Sequence, residues 1–264
     1  MHRWYPVRQR HVVGFLSRRR SGMTPCECAV VDCLLCEARL FSGVAEEQVC
    51  SVRGLILRET RAPGEFVFHQ GGPSRHLYVL KSGYVKFAAA LPDGREQVLG
   101  IGVEGNLLGF EGFSQEAYPY SAQALTPVRV CGVRRADMTR ILTGNPKVTM
   151  DVLRVLNAEL ERSKALIMDL GLRTAPERVA SFVLSLVPPG RTWERELPLP
   201  LKRREIAEML GLREETVSRV MAGLRRERVI RTRQGRVQIL SLSRLRELAG
   251  FAPEDLPDSR FATA

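Results

Sequence analysis

Six cysteines, Cys26, Cys28, Cys33, Cys36, Cys50 and Cys131, are the residues of this chain best suited to chemistry. The first four crowd into one stretch, PCECAVVDCLLC, ahead of any recognisable folded domain. Thiols at this density either pair as disulfides in an oxidising compartment, or hold a metal or oxidise reversibly in a reducing one. The N-terminus lacks the apolar core and cleavage site of an export signal, which favours the second case. Zinc, an iron–sulfur cluster and metal-free thiol oxidation all use such thiolates. Cys50 lies in a helical pattern and reads as a small buried hydrophobe.

Other catalytic chemistry is poorly provided for. The sequence has no phosphate-cradling glycine loop and no nucleophile elbow. Only four histidines occur, His2, His11, His69 and His76, two of them in the N-terminal tail. His69 and His76 fall in a β-prone region and read as structural, with haem ligation as the alternative. An enzyme is not expected.

The second concentration of useful residues is basic. The chain carries 40 Lys and Arg against 29 Asp and Glu, a net charge of +11, which favours a polyanionic partner. The stretch 202–227, KRREIAEMLGLREETVSRVMAGLRRE, reads as two helices, Lys202–Leu210 and Arg213–Glu227, joined by a tight turn at Gly211. Ile206, Ala207, Leu210, Leu212, Val217, Val220, Met221 and Leu224 are spaced to form its small core. Arg213, Glu215, Thr216, Ser218 and Arg219 fall on the exposed N-terminal half of the second helix, the half that enters the major groove in helix-turn-helix proteins. Arg219 suits guanine O6 and N7, and Glu215 can accept from cytosine N4. Ser218 can meet a base edge or a phosphate, and Thr216 a phosphate. A hairpin wing, VIRTRQGRVQIL, follows with Gly235 at its turn. Arg225, Arg231, Arg233 and Arg236 are the expected phosphate contacts.

These residues need a frame. Residues 37–58 carry a short helical pattern, capped by Ser42. From 60 to 140, short β-prone runs alternate with glycine turns, with Pro92-Asp93-Gly94 the clearest, and predict an antiparallel β-roll or barrel. Residues 136–172 read as helical, with Val148, Val152, Val155, Leu156, Leu160, Ile167 and Leu170 as an apolar stripe. A helix this long exceeds what a small domain needs, and pairing two copies would bury the stripe. A second helix starts near Pro176, and a short strand is expected at 195–199. No stretch approaches the ~18–20 apolar residues of a membrane span.

The expected organisation is α+β. Residues 1–25 are disordered or precede a true start at Met23. A cysteine segment and β-roll sensor span 26–145, a dimerisation helix 146–172, a winged helix-turn-helix 173–250, and a tail 251–264. A cytoplasmic location follows from the cysteines and the absence of a leader.

The combination resembles the CRP/FNR family over about residues 36–246. PGEFVFHQGGPSRHLYVLKSGYVKF looks like the family's cyclic-nucleotide-binding-type domain, and EETVSR (214–219) like the recognition helix of the FNR branch. There Glu, Ser and Arg in the order E-x-x-S-R read a TTGAT-type half-site, which the resemblance assigns to Glu215, Ser218 and Arg219. It implies a palindrome close to TTGAT-N4-ATCAA, bound by a homodimer. GNLLGFEGFSQEAYPYSAQAL (105–125) departs from the cyclic-AMP branch, with Asn106 in place of Glu and Tyr120-Ser121 without Arg. With no cation for the phosphate, no cyclic nucleotide is expected. SAQALTPVRVCGV (121–133) is similar to the stretch carrying the distal ligand of an oxygen-labile 4Fe–4S cluster, which would make Cys131 that ligand. The cluster would be held by Cys28, Cys33, Cys36 and Cys131, with Cys26 as a possible substitute, and would sense oxygen or nitric oxide. The spacing of the N-terminal cysteines departs from the family's usual Cys-x2-Cys pattern. The loop at Asp93-Gly94-Arg95 lies where family members touch RNA polymerase.

Overall fold

The computed structural model describes residues 56–187 and 196–250. The cysteines Cys26 to Cys50, the segment 1–25, the Ser42-capped pattern and the tail 251–264 lie outside the described residues. The described residues form two compact units, one of 56–175 and 200–219, the other of 176–187, 196–199 and 220–250.

The first unit is built on eight antiparallel strands in two sheets. One has the order β1 (Ile56–Arg61), β8 (Val128–Arg134), β3 (His76–Ser82), β6 (Leu107–Leu108). The other has the order β2 (Phe66–Phe68), β7 (Ser121–Ala124), β4 (Val85–Ala90), β5 (Glu96–Gly102). Residues 56–58, which close the expected N-terminal helical pattern, are strand instead: Ile56 pairs with Val133 and Leu57 with Gly132. The backbone pairing with β8, rather than side-chain burial, marks this segment as strand: Leu57 is 45% exposed.

Alternation along β3 explains why this one strand is buried on both faces. Tyr78 and Leu80 join Phe68, Val85, Leu108, Tyr118, Tyr120, Ala122, Val128 and Val130 in one cluster. Leu77 and Val79 point the other way, into a second cluster with Leu107, Phe110 and Val133. Helix α1 (Arg135–Gly144) contributes Met138 and Ile141 to that second cluster, and α2 (Pro146–Leu172) contributes Val148 and Val152. The expected single helical region is thus broken at Asn145. Pro146 cannot donate to a preceding turn, but is well suited to open a new helix. The β3–β4 turn needs Gly83, whose φ is +93° and whose missing Cβ would lie 2.4 Å from the Pro127 carbonyl oxygen.

The expected apolar stripe of α2 divides. Val148 and Val152 are spent on the molecule's own core, and Val155 and Leu156 pack partly against it. Leu170 is half-buried, while three other apolar side chains of the helix stand largely in solvent: Leu153 is 51% exposed, Leu160 52% and Ile167 68%. These three recur every seven residues, the spacing of a coiled-coil seam.

The second unit contains α3 (Ala175–Ser185), which buries Val179, Ala180, Phe182, Val183 and Leu184, and a three-stranded antiparallel sheet. Its strands are β9 (Leu197–Pro198), β10 (Ile230–Arg233) and β11 (Arg236–Ile239), in the order β10-β11-β9. Helix α6 (Leu242–Leu248) closes it, with the Ser241 hydroxyl accepting from the Arg244 N–H.

Candidate nucleic-acid interface

Two helices frame the expected reading residues: α4 (Arg203–Leu210) and α5 (Glu214–Arg226), the second of which carries Glu215, Thr216, Ser218 and Arg219. At the start of α4 the Lys202 N–H donates to Glu205 Oε2 at 2.8 Å. The other oxygen, Oε1, accepts from Lys86 Nζ at 3.1 Å, and Lys86 also reaches Glu96 at 3.0 Å. Burial works against the Lys86 charge, but these two carboxylates hold the ammonium above its usual range. Helix α4 ends on Gly211 in the left-handed conformation, φ 62° and ψ 40°. That is the C-terminal geometry glycine favours, and it redirects the chain into α5 within two residues.

Helix α5 is strongly amphipathic. Val217, Met221 and Leu224 are buried, as are Ile206, Ala207 and Leu210 on α4. Leu212 and Val220, also expected in this core, are only half-buried. Three- and four-residue steps therefore bring Glu215, Ser218 and Arg219 to the opposite face, where all three are exposed. Arg213 is exposed just ahead of the first turn, its carbonyl accepting from the N–H groups of Thr216 and Val217. Thr216 is half-buried at the margin. This is one hydrogen-bonding strip of an acceptor, a hydroxyl and a guanidinium.

The wing is the hairpin β10–β11. Gln234 and Gly235 both have positive φ, as a two-residue turn of this hand requires, and set Arg233 opposite Arg236. Arg236 is already engaged: it donates to the Glu196 carbonyl at 2.9 Å and meets the Glu196 carboxylate at 3.3 Å. Arg225 and Arg231 sit elsewhere, with Arg228, around a cleft where α5 ends. Sequence reading passed over Arg228 as a site. The available signal was a non-glycine residue where the helix stops; its φ of +54° costs an L-residue roughly 1–2 kcal/mol.

Around the turn before β6 the roll's polar side chains bond to one another. Asn106 accepts from the Val103 N–H at 2.7 Å and donates through Nδ2 to Glu159 on α2, also at 2.7 Å. Tyr120 donates to Glu111 at 2.9 Å. Burial raises the Tyr120 hydroxyl well above its usual range, and Glu111 adds to the effect. Two carboxylates, Glu111 and Glu159, therefore stand beside Tyr120 and Asn106, and Glu159 is also paired with Arg162 at 3.1 Å. His69 is exposed and packs on Phe66, with ring centres 4.1 Å apart and the planes tilted by 31°, and His76 lies in β3.

Cys131 is buried in β8, opposite Arg58 of β1 and Val79 of β3. Alternation sets it on the face shared with Val133, away from Val130 and the roll interior. Strand β1, the first described element after the cysteine segment, is its direct neighbour. Among the described residues, no group of three or more His, Cys, Asp or Glu could hold a metal. No described helix is long and apolar enough to cross a membrane.

A tight two-helix reader followed by an arginine-bearing hairpin, carried in one chain with an antiparallel roll, defines a DNA-binding transcription regulator. Residues 177–248 match the Crp-like helix-turn-helix domain, and residues 58–145 the cyclic nucleotide-binding domain. The chain is 30% identical to the transcriptional activator protein anr of Pseudomonas aeruginosa over 223 residues, covering 83% of this chain and 91% of that protein. It is 27% identical to the fumarate and nitrate reduction regulatory protein of Vibrio cholerae, covering 90% and 96%. Among solved structures, FixK2 from Bradyrhizobium japonicum aligns with a TM-score of 0.68 at 25% identity, covering 75% of this chain and 98% of that one. The CRP-family regulator TTHB099 of Thermus thermophilus aligns with a TM-score of 0.63 at 30% identity, covering 74% and 97%. The chain belongs to the CRP/FNR family, whose members are transcription regulators and not enzymes.

Proposed function

We propose that this protein is an FNR-type regulator that binds a TTGAT-like palindrome as a homodimer and responds to oxygen or nitric oxide. The observation that carries the DNA reading is the exposed strip of Glu215, Ser218 and Arg219 in the order E-x-x-S-R on α5. Arg213 and Thr216 flank it. Arg225, Arg231, Arg233 and Arg236 supply backbone contacts, Arg236 after exchanging Glu196 for a phosphate. The seven-residue recurrence of Leu153, Leu160 and Ile167 supports pairing of two α2 helices.

Sensing is assigned to Cys28, Cys33, Cys36 and Cys131, with Cys26 as a substitute, holding a 4Fe–4S cluster. What supports Cys131 is its burial in β8 beside β1, the first described element after the cysteine segment. Such a cluster supplies oxygen-labile iron–thiolate bonds. The protein's part is to bring the N-terminal segment to the sheet that packs on α1 and α2. The carboxylates Glu111 and Glu159 argue against a cyclic phosphodiester in the roll. The protein acts in the cytoplasm, with RNA polymerase as a partner through the exposed Asp93-Gly94-Arg95 turn, where Arg95 pairs with Asp93. In this reading residues 26–145, 146–172 and 173–250 serve as sensor, dimer helix and DNA-binding domain.

The test is anaerobic purification with iron and sulfide assay, an absorption spectrum, and DNA binding before and after air. About four irons per chain and an absorbance that bleaches in air as binding to the palindrome falls are expected. Iron-free protein that binds the palindrome equally with and without air would refute cluster sensing and leave the DNA reading intact.

A further inference from the structure

At the end of α5 the chain makes a turn that glycine normally occupies. The Val229 N–H donates to the Leu224 carbonyl at 2.9 Å, and the Arg228 N–H to the Arg225 carbonyl at 3.1 Å. This is the paired closure of a helix C-terminus whose left-handed residue is most often glycine. Here that residue is Arg228, with φ +54°. Holding an arginine in that conformation is unfavourable, so its side chain needs a reason to be there.

The reason on the page is the cleft beside it, about 480 Å³, lined by Arg225, Arg228, Ile230, Arg231, Thr232 and Leu240. Arg225 Nη1 donates to Thr232 Oγ1 at 3.2 Å, and Arg231 Nη1 to Gln238 Oε1 at 3.4 Å, which orients two of the guanidinium groups. Among the described residues, none of the three arginines makes an ion pair with a carboxylate. The one acid of the stretch 225–233, Glu227, does not line the cleft. Three like charges around one cleft repel each other unless an anion joins them. Isoleucine and leucine in its lining lower the local dielectric and strengthen any such pairing.

We infer that Arg225, Arg228 and Arg231 form a binding site for a phosphate group, separate from the Glu215–Ser218–Arg219 strip. Planar guanidinium forks match phosphate oxygens in pairs, and three of them suit a doubly charged or bridging phosphate. The phosphate comes either from the DNA backbone beyond the major-groove contacts or from a free phosphate-bearing molecule. The first source rests on the DNA-binding reading, and the second does not.

The test uses the full chain and three forms: wild type, the triple variant Arg225→Gln/Arg228→Gln/Arg231→Gln, and Arg228→Gly. DNA affinity is measured against salt on a TTGAT-type duplex and on an unrelated duplex, and pyrophosphate binding by calorimetry. If the backbone is the source, the triple variant weakens on both duplexes by the same factor, and its salt slope falls by about 1 to 3. If a free phosphate is the source, wild type binds pyrophosphate, the triple variant does not, and the DNA slopes agree. Arg228→Gly separates folding from binding. Glycine relieves the left-handed turn, so this variant melts at or above wild type while losing part of the same response. Equal slopes together with equal pyrophosphate behaviour in all forms would overturn the site, as would losses that appear only in variants with lowered melting temperature. Wild type that binds neither duplex would refute the DNA reading instead, and the pyrophosphate arm would still decide the cleft.

Discussion

Asn106 and Glu159 are joined across 53 residues of sequence, Asn106 Nδ2 donating to Glu159 Oε1 at 2.7 Å. The contact ties the turn before β6 to the middle of α2, the helix whose later turns stand in solvent. Burial raises the Glu159 carboxyl above its usual range and Glu111 adds to this, while Arg162 and Asn106 pull it down. A carboxyl raised in the folded state contributes stability below its ordinary range, and that contribution is lost as pH rises through the folded value. Glu159→Gln keeps an acceptor for Asn106 and removes the charge. It is therefore expected to melt higher than wild type at pH 7–8, with the difference closing near about pH 4. Melting curves across pH check this, and a variant that melts lower at neutral pH would show that the Arg162 pair outweighs burial.

The exposed seam on α2 predicts the assembly state. Leu160→Glu and Ile167→Glu each set an unpaired carboxylate into the proposed dimer contact, a change worth about 3 kcal/mol or more, so the dissociation constant should rise at least about 100-fold. Both side chains are more than half exposed in the single chain, so its own fold should not suffer. Sedimentation equilibrium reads the first effect and circular dichroism the second.

Base reading predicts an asymmetric loss. Arg219→Ala should cost about 1–3 kcal/mol on the TTGAT-type duplex and little on an unrelated one, flattening the preference at the guanine. Arg233→Ala at the wing tip should weaken both duplexes alike and reduce the salt slope by about 1. Competition binding with single-base variants of the half-site distinguishes the two.

Gly83 carries a stability prediction. An alanine there meets both a φ of +93° and the Pro127 carbonyl, so Gly83→Ala should destabilise the roll by about 2–4 kcal/mol in chemical unfolding. Ser74→Ala should do the reverse or nothing, because the Ser74 hydroxyl is buried without a hydrogen-bond partner among the described residues.

The helix-turn-helix was legible in the sequence because its information is local. Gly211 between two helical patterns, and Glu215, Ser218 and Arg219 within five residues, fix the turn and the exposed face by helix geometry alone. The roll was legible as a class, since alternation and glycine turns repeat along 60–140. Three things were settled only by tertiary structure. Which part of the α2 stripe is free depends on Val148 and Val152 finding the outer face of β3, and periodicity does not register a contact at that separation. The partnership of Asn106 with Glu159 arises from packing a helix against a turn far upstream. The arginine cleft exists because Arg228 takes a left-handed turn that brings its charge beside Arg225 and Arg231. Each is a long-range or conformational choice, made where burial and charge are balanced over the whole fold.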